Sequence, residues 1–114
     1  MHEVGLVQDA VAQAVAAAEA AHARAIERVT FVAGAGGHIT PEIVTTLFAA
    51  LSRDTLAAGA EVVVEMRERL WRCLSCGAEF GGGSEDSPCP VCGGLAWPTG
   101  DVPELALASV DVAT

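Results

Sequence analysis

Two matched cysteine pairs constrain this chain more than any other feature. Cys73-Leu-Ser-Cys76 and Cys89-Pro-Val-Cys92 are C-x-x-C pairs separated by residues 77–88, and each is followed directly by glycine, Gly77 and Gly93. Two cysteines three apart can grip one edge of a metal tetrahedron, and two such pairs close it. A glycine after the second cysteine permits positive φ, which turns backbone N–H groups toward the thiolates. The surrounding segment is short, polar and glycine-rich, so it cannot build a core of its own, and a metal takes the place of one. Zinc is the expected ion, with iron in the same four-sulfur cage as its competitor. With four protein ligands no coordination position stays open, so the expected role is structural. A redox dithiol would need only one pair.

Charge narrows the function classes. The chain has 114 residues with 15 acids, 6 arginines and no lysine, a formal net charge of −9. A nucleic-acid surface needs clustered cations. Residues 73–97 carry Glu79, Glu85 and Asp86 and no Arg or Lys, and four thiolates around one Zn²⁺ add further negative charge. Neither nucleic acid nor an anionic membrane is an expected partner. Met1-His2-Glu3 offers no basic leader, and Gln8, Asp9, Gln13 and Glu19 interrupt the Ala/Val-rich run that follows. A cytoplasmic location is therefore expected, where four cysteines stay reduced and available to metal.

Along the chain, Leu6, Val7, Val11 and Val15 recur at helical spacing and predict a helix over 5–23. Residues 28–33 are β-rich and predict a strand, followed by the loop Gly34-Ala35-Gly36-Gly37-His38. Thr40-Pro41-Glu42 is a helix start, with a hydroxyl cap, proline at the first helical position and an acid in the first turn. Ile43, Val44, Leu47, Phe48 and Leu51 then form an apolar face ending near Arg53. Glu61–Met66 and residues 104–112 read as further strands. The expected fold is α+β: two helices on one face of a small three-stranded antiparallel sheet, with a zinc-ribbon-like four-cysteine module inserted. The domain division is then 1–71 with 99–114, discontinuous, around a zinc-binding module at 72–98.

The first three residues also carry chemistry. Initiator methionine is removed when the second residue is small, and His2 is large, so Met1 and its α-amine are expected to persist. The amine, the deprotonated His2 amide nitrogen and the His2 imidazole form fused five- and six-membered chelate rings on one metal. A further amide or carboxylate, with Glu3 as a candidate source, fills the fourth position. Planar nitrogen donors suit Ni²⁺ or Cu²⁺. Every donor must be neutral or deprotonated, so affinity falls as pH drops.

Together these pieces resemble the HypA family of hydrogenase nickel-incorporation proteins. The resemblance rests on Met1-His2-Glu3, on Cys73, Cys76, Cys89 and Cys92, and on Glu104-Leu105 with Ser109-Val110-Asp111. It implies a nickel metallochaperone that delivers Ni²⁺ as cargo to the large subunit of [NiFe]-hydrogenase. The implied partner is the GTPase HypB, and some members also serve urease. Nickel is then held by Met1, His2 and Glu3, with His2 the essential ligand, and Zn²⁺ is structural at the four cysteines. The chain departs from the family at Gly36-Gly37-His38, at Thr46, where an aromatic is expected, and at Ala49, where an acid is expected. These departures bear on partner recognition more than on nickel.

Other residues have plainer readings. His38 reads as a solvated loop histidine, with a distant nickel ligand as the alternative, and His22 as a surface residue near a helix end. Trp71 and Trp97 bracket the cysteine segment and read as packing at its hinge. Glu61, Glu65 and Glu68 read as a solvated acidic face. No catalytic triad or phosphate loop is visible, so an enzyme is not expected. The alternative functions are a zinc-stapled protein–protein adaptor without nickel transfer and a rubredoxin-like electron carrier with iron held by the four cysteines. Both a monomer and a homodimer are compatible with the sequence.

Overall fold

The computed structural model describes residues 2–35, 38–81, 88–99 and 102–114. Helix α1 (His2–Ala20) leads into strand β1 (Ala25–Gly34), helix α2 (Pro41–Leu51) and strand β2 (Glu61–Arg67). Three short strands follow, β3 (Leu70–Cys73), β4 (Glu79–Gly81) and β5 (Ala96–Thr99), before the long β6 (Leu105–Ala113). Two three-stranded sheets result, ordered β2-β1-β6 and β4-β3-β5.

The two-helix, small-sheet architecture agrees with the sequence reading, but the first sheet is mixed rather than antiparallel. Strand β1 pairs in parallel with β2, in register from Arg28↔Glu61 to Gly34↔Arg67, and antiparallel with β6. The reason is the intervening helix. A two-residue hairpin joins antiparallel neighbours, whereas α2 carries the chain back along the sheet, so β2 re-enters in the direction of β1. The second sheet is antiparallel throughout. Its strands, each only three or four residues long, are too short to register as alternation in the sequence.

Helix α1 starts and stops earlier than its periodicity predicts. Val7, Ala10, Val11, Ala14 and Ala18 form its buried stripe, and the alanines let the helix approach its neighbours closely. The stop is made at His22, which takes a left-handed φ of 56°. The Ala23 N–H donates to the Ala18 carbonyl at 3.0 Å, closing the helix end without a glycine. At α2 the expected start is present: Thr40 is extended, its hydroxyl accepts from the Ile43 N–H at 3.2 Å, and Pro41 opens the helix.

Both helices cover one face of the first sheet. Ile26, Val29, Phe31 and Ala33 of β1 meet Val7, Val11, Val44 and Phe48 there. Phe31 and Phe48 pack edge to face with centroids 6.0 Å apart. On the sheet surface Arg28 reaches both neighbouring strands, with Nε 2.7 Å from Glu61 and Nη1 3.6 Å from Asp111. Glu61 is therefore paired rather than simply solvated, and Glu65 lies 3.7 Å from Arg67. Among the described residues no helix is long and apolar enough to cross a membrane.

The core sets a stability expectation. Phe48→Ala removes a ring that is 1% exposed and lowers unfolding free energy by about 3–5 kcal/mol. Thr40→Ala removes only a cap, with a loss of about 1 kcal/mol. Urea unfolding followed by far-UV circular dichroism distinguishes the two.

Candidate metal centres

The four cysteines converge. Their Sγ atoms all lie within 4.8 Å of one another, with Cys73···Cys92 at 3.4 Å and Cys76···Cys89 at 3.7 Å. A Zn–S bond of about 2.3 Å puts the sulfurs of a tetrahedron about 3.8 Å apart. The cage thus has the size of a zinc site. It is built from two turns with the same hydrogen bonding. The Gly77 N–H donates to the Cys73 carbonyl at 3.1 Å, and the Gly93 N–H to the Cys89 carbonyl at 2.8 Å. Cys73 N–H donates to Ala78 O, and Cys89 N–H to Gly94 O, in the matching place. Gly77 and Gly93 hold φ of 74° and 75°, as their position after each pair required.

Backbone donors then face the sulfurs. The N–H groups of Ser75 and Cys76 point at Cys73 Sγ from 3.4 and 3.5 Å, and that of Val91 at Cys89 Sγ from 3.4 Å. Each such bond favours the thiolate. The Cys76 N–H and its neighbours bring the Cys73 thiol down to about 6, and the Cys92 N–H lowers Cys89. Cys92 goes the other way, up to about 12: the Gly94 N–H favours its thiolate, but the thiols of Cys73 and Cys76 outweigh it. Four sulfurs this close cannot all ionise unless a cation sits among them, and a divalent ion supplies that charge. The donor set fits a tetrahedral zinc ion. Gly94 also keeps the cage open, since a Cβ there would stand 3.3 Å from both Cys73 and Cys92 sulfurs.

The tryptophans beside this cage differ. Trp71, on β3, is 3% exposed, and Trp97, opposite Arg72 on β5, is 66% exposed. Only Trp71 is packed away.

The N-terminal candidates lie at the other metal-relevant place. Met1 falls outside the described residues. His2 opens α1, and Glu3 follows in its first turn. The first four N–H groups of a helix have no partner within it, so the amide nitrogens of His2 and Glu3 are not committed to the helical ladder. The His2 side chain is 67% exposed, and its Nε2 lies 2.8 Å from Glu104 Oε2. That hydrogen bond, together with the Glu104 charge, raises the His2 pKa above its ordinary value. No local signal ties Glu104 to His2, because 102 positions separate them. Only the return of the chain into β6 brings Glu104 beside the start of α1.

His38 sits exposed in the loop before α2. Gly36 and Gly37, the other residues of that departure, lie outside the described residues, as do Glu85 and Asp86 of the acidic spacer. Thr46 lines a groove of about 380 Å³ with Glu3, Val4, Glu42, Ile43 and Leu47. The aromatic expected at position 46 is absent from a surface adjoining the N-terminal residues. Among the described residues, the four cysteines are the one cluster of three or more His, Cys, Asp or Glu side chains close enough to cage a metal.

The comparisons with known proteins agree with this architecture. The family described as hydrogenase/urease nickel incorporation, metallochaperone, hypA, matches residues 1–112. A hydrogenase maturation factor HypA of Dehalococcoides mccartyi is 35% identical over 94 residues, covering 82% of this chain and 79% of its own. One from Geotalea uraniireducens is 30% identical over 112 residues, 98% of this chain and 99% of its own. The solution structure of the Ni metallochaperone HypA from Helicobacter pylori aligns over 97% of both chains with a TM-score of 0.65 at 19% identity, a likeness of fold. The chain belongs to the HypA family of nickel-incorporation metallochaperones and hydrogenase maturation factors.

Proposed function

We propose that this chain captures Ni²⁺ at its N-terminus and hands it to the large subunit of [NiFe]-hydrogenase, working with the GTPase HypB in the cytoplasm. The ligands are the Met1 amine, the His2 amide nitrogen and imidazole, and Glu3 at the fourth position. Zn²⁺ at Cys73, Cys76, Cys89 and Cys92 is structural, and residues 72–98 act as the zinc-binding module of a discontinuous nickel-binding domain, 1–71 with 99–114. One observation carries the reading. In a chain of this family, His2 and Glu3 stand at the start of a helix whose first amides are uncommitted, with the His2 side chain open to solvent.

The chemistry suits a carrier rather than a store. Nickel bound to an exposed terminus can exchange its ligands one at a time with a receiving protein. Planar nitrogen donors select Ni²⁺ over Zn²⁺, which prefers the tetrahedral sulfur cage. The two metals therefore sort themselves by donor type and geometry.

Titrating Ni²⁺ calorimetrically into zinc-loaded protein without an N-terminal tag tests the reading. One nickel is expected per chain, lost in His2→Ala and in a form extended before Met1. Nickel binding untouched by either change moves the site elsewhere, with His38 next to examine. No binding at all leaves a zinc-stapled adaptor.

Acid should release the nickel. A proton and the metal compete for the imidazole, and Glu104 favours the proton. Affinity is therefore expected to decline as pH falls through the raised His2 pKa, beginning above the 6.5 of an ordinary histidine. Titrations repeated across neutral pH read this directly.

Zinc removal should act locally. A strong chelator or Cys73→Ser is expected to unfold the β4-β3-β5 sheet and expose Trp71, shifting its fluorescence to the red, while the helices keep their far-UV signal. Purified protein is expected to be colourless with one zinc per chain; a red, iron-loaded protein would establish the electron-carrier alternative instead.

A further inference from the structure

We propose that Glu104 is a positioning residue for nickel capture, holding the His2 imidazole by Nε2 so that Nδ1 faces the metal. The inference rests on the nickel reading above, but the contact behind it belongs to this structure. Glu104 Oε2 lies 2.8 Å from His2 Nε2. It immediately precedes β6, which is hydrogen-bonded to β1 along its length. The carboxylate is therefore anchored to the sheet while the imidazole sits on the first helical turn.

Ring size decides which nitrogen must bind. A chelate closed by the His2 amide nitrogen runs through Cα, Cβ and Cγ to Nδ1, giving a six-membered ring. Nε2 sits on the far edge of the imidazole and cannot close it. Nδ1 must then carry a lone pair, so the proton of the neutral ring belongs on Nε2. An ionised carboxylate only accepts hydrogen bonds, so Glu104 selects the Nε2–H tautomer, the one that nickel needs. It also fixes the ring plane at an exposed side chain with few other contacts. A carboxylate that orients a metal-binding histidine through its other nitrogen recurs across metal sites and governs affinity there. Placed on the Nε2 edge, Glu104 is not itself a ligand.

Glu3 cannot play this part if it fills the fourth nickel position. Glu42 lines the groove beside Glu3, and the His2 ring makes its hydrogen bond to Glu104 rather than to either acid.

The test uses the full zinc-loaded chain with Glu104→Leu and Glu104→Gln. Measurements run above the raised His2 pKa, so that the ring is neutral. Without nickel, the ¹⁵N shifts of the His2 ring are expected to show protonated Nε2 in the native chain and a mixed population in Glu104→Leu. In nickel titrations Glu104→Leu is expected to weaken affinity by about tenfold or more. Glu104→Gln, whose amide oxygen still accepts from Nε2–H, should recover part of that loss. A merely structural link between α1 and β6 would shift the tautomer on its removal but leave the nickel affinity of both variants at the native value. Unchanged tautomer populations overturn the inference. So does a Glu104→Leu variant that binds nickel as tightly as the native chain, or more tightly, as it would if the carboxylate only competed with the metal for the ring. If the native chain itself binds no nickel at His2, it is the functional reading that fails.

Discussion

Strand β1 is bonded on both edges, and the rest of the first sheet depends on it. Its parallel edge requires a crossover, and α2 is that crossover. Its antiparallel edge captures β6, the last segment of the described chain. Its apolar face, through Val29 and Phe31, gives α1 and α2 a common surface to bury. Because β1 joins the first helix to the last strand, residues at opposite ends of the sequence meet. His2 and Glu104 are neighbours for that reason.

The cysteine module is held by a different force. Its three strands are short, and among its described residues few side chains are buried apart from Trp71, Cys73 and Cys89. Leu74, Val91 and Leu95 stand exposed around the sulfur cage. With so little apolar surface removed from water, the segment has the make-up of one that metal ligation shapes. Backbone donors favour the thiolates of Cys73 and Cys89, and four sulfurs this close favour a cation among them. The cysteine segment and the helix-covered sheet thus differ in make-up, one offering clustered metal donors and the other buried apolar surface.

In the function proposed above, these two regions also divide the metals. Sulfur donors at the corners of a tetrahedron are closed and rigid, fit for an ion that stays. On the proposed nickel reading, nitrogen donors at the exposed start of α1 suit an ion that leaves. Thr46, where the sequence departs from the family pattern, lines a groove with Glu3 and Val4 of α1.

The sequence by itself determined what local chemistry can write. Spacing marked the four cysteines and their two glycines, because a metal cage needs donors at fixed short intervals and a positive φ beside them. Cap chemistry placed the start of α2 at Thr40-Pro41. Tertiary structure decided the rest. The parallel pairing of β1 and β2 follows from where α2 sends the chain, which hydropathy does not encode. The end of α1 depends on His22 adopting a left-handed turn that alanine periodicity cannot foretell. The three-strand sheet around the cysteines was too short to register as alternation. The Glu104 contact with His2 was illegible for the same physical reason that it matters: it exists only once β1 has gathered β6 beside the helix that His2 begins.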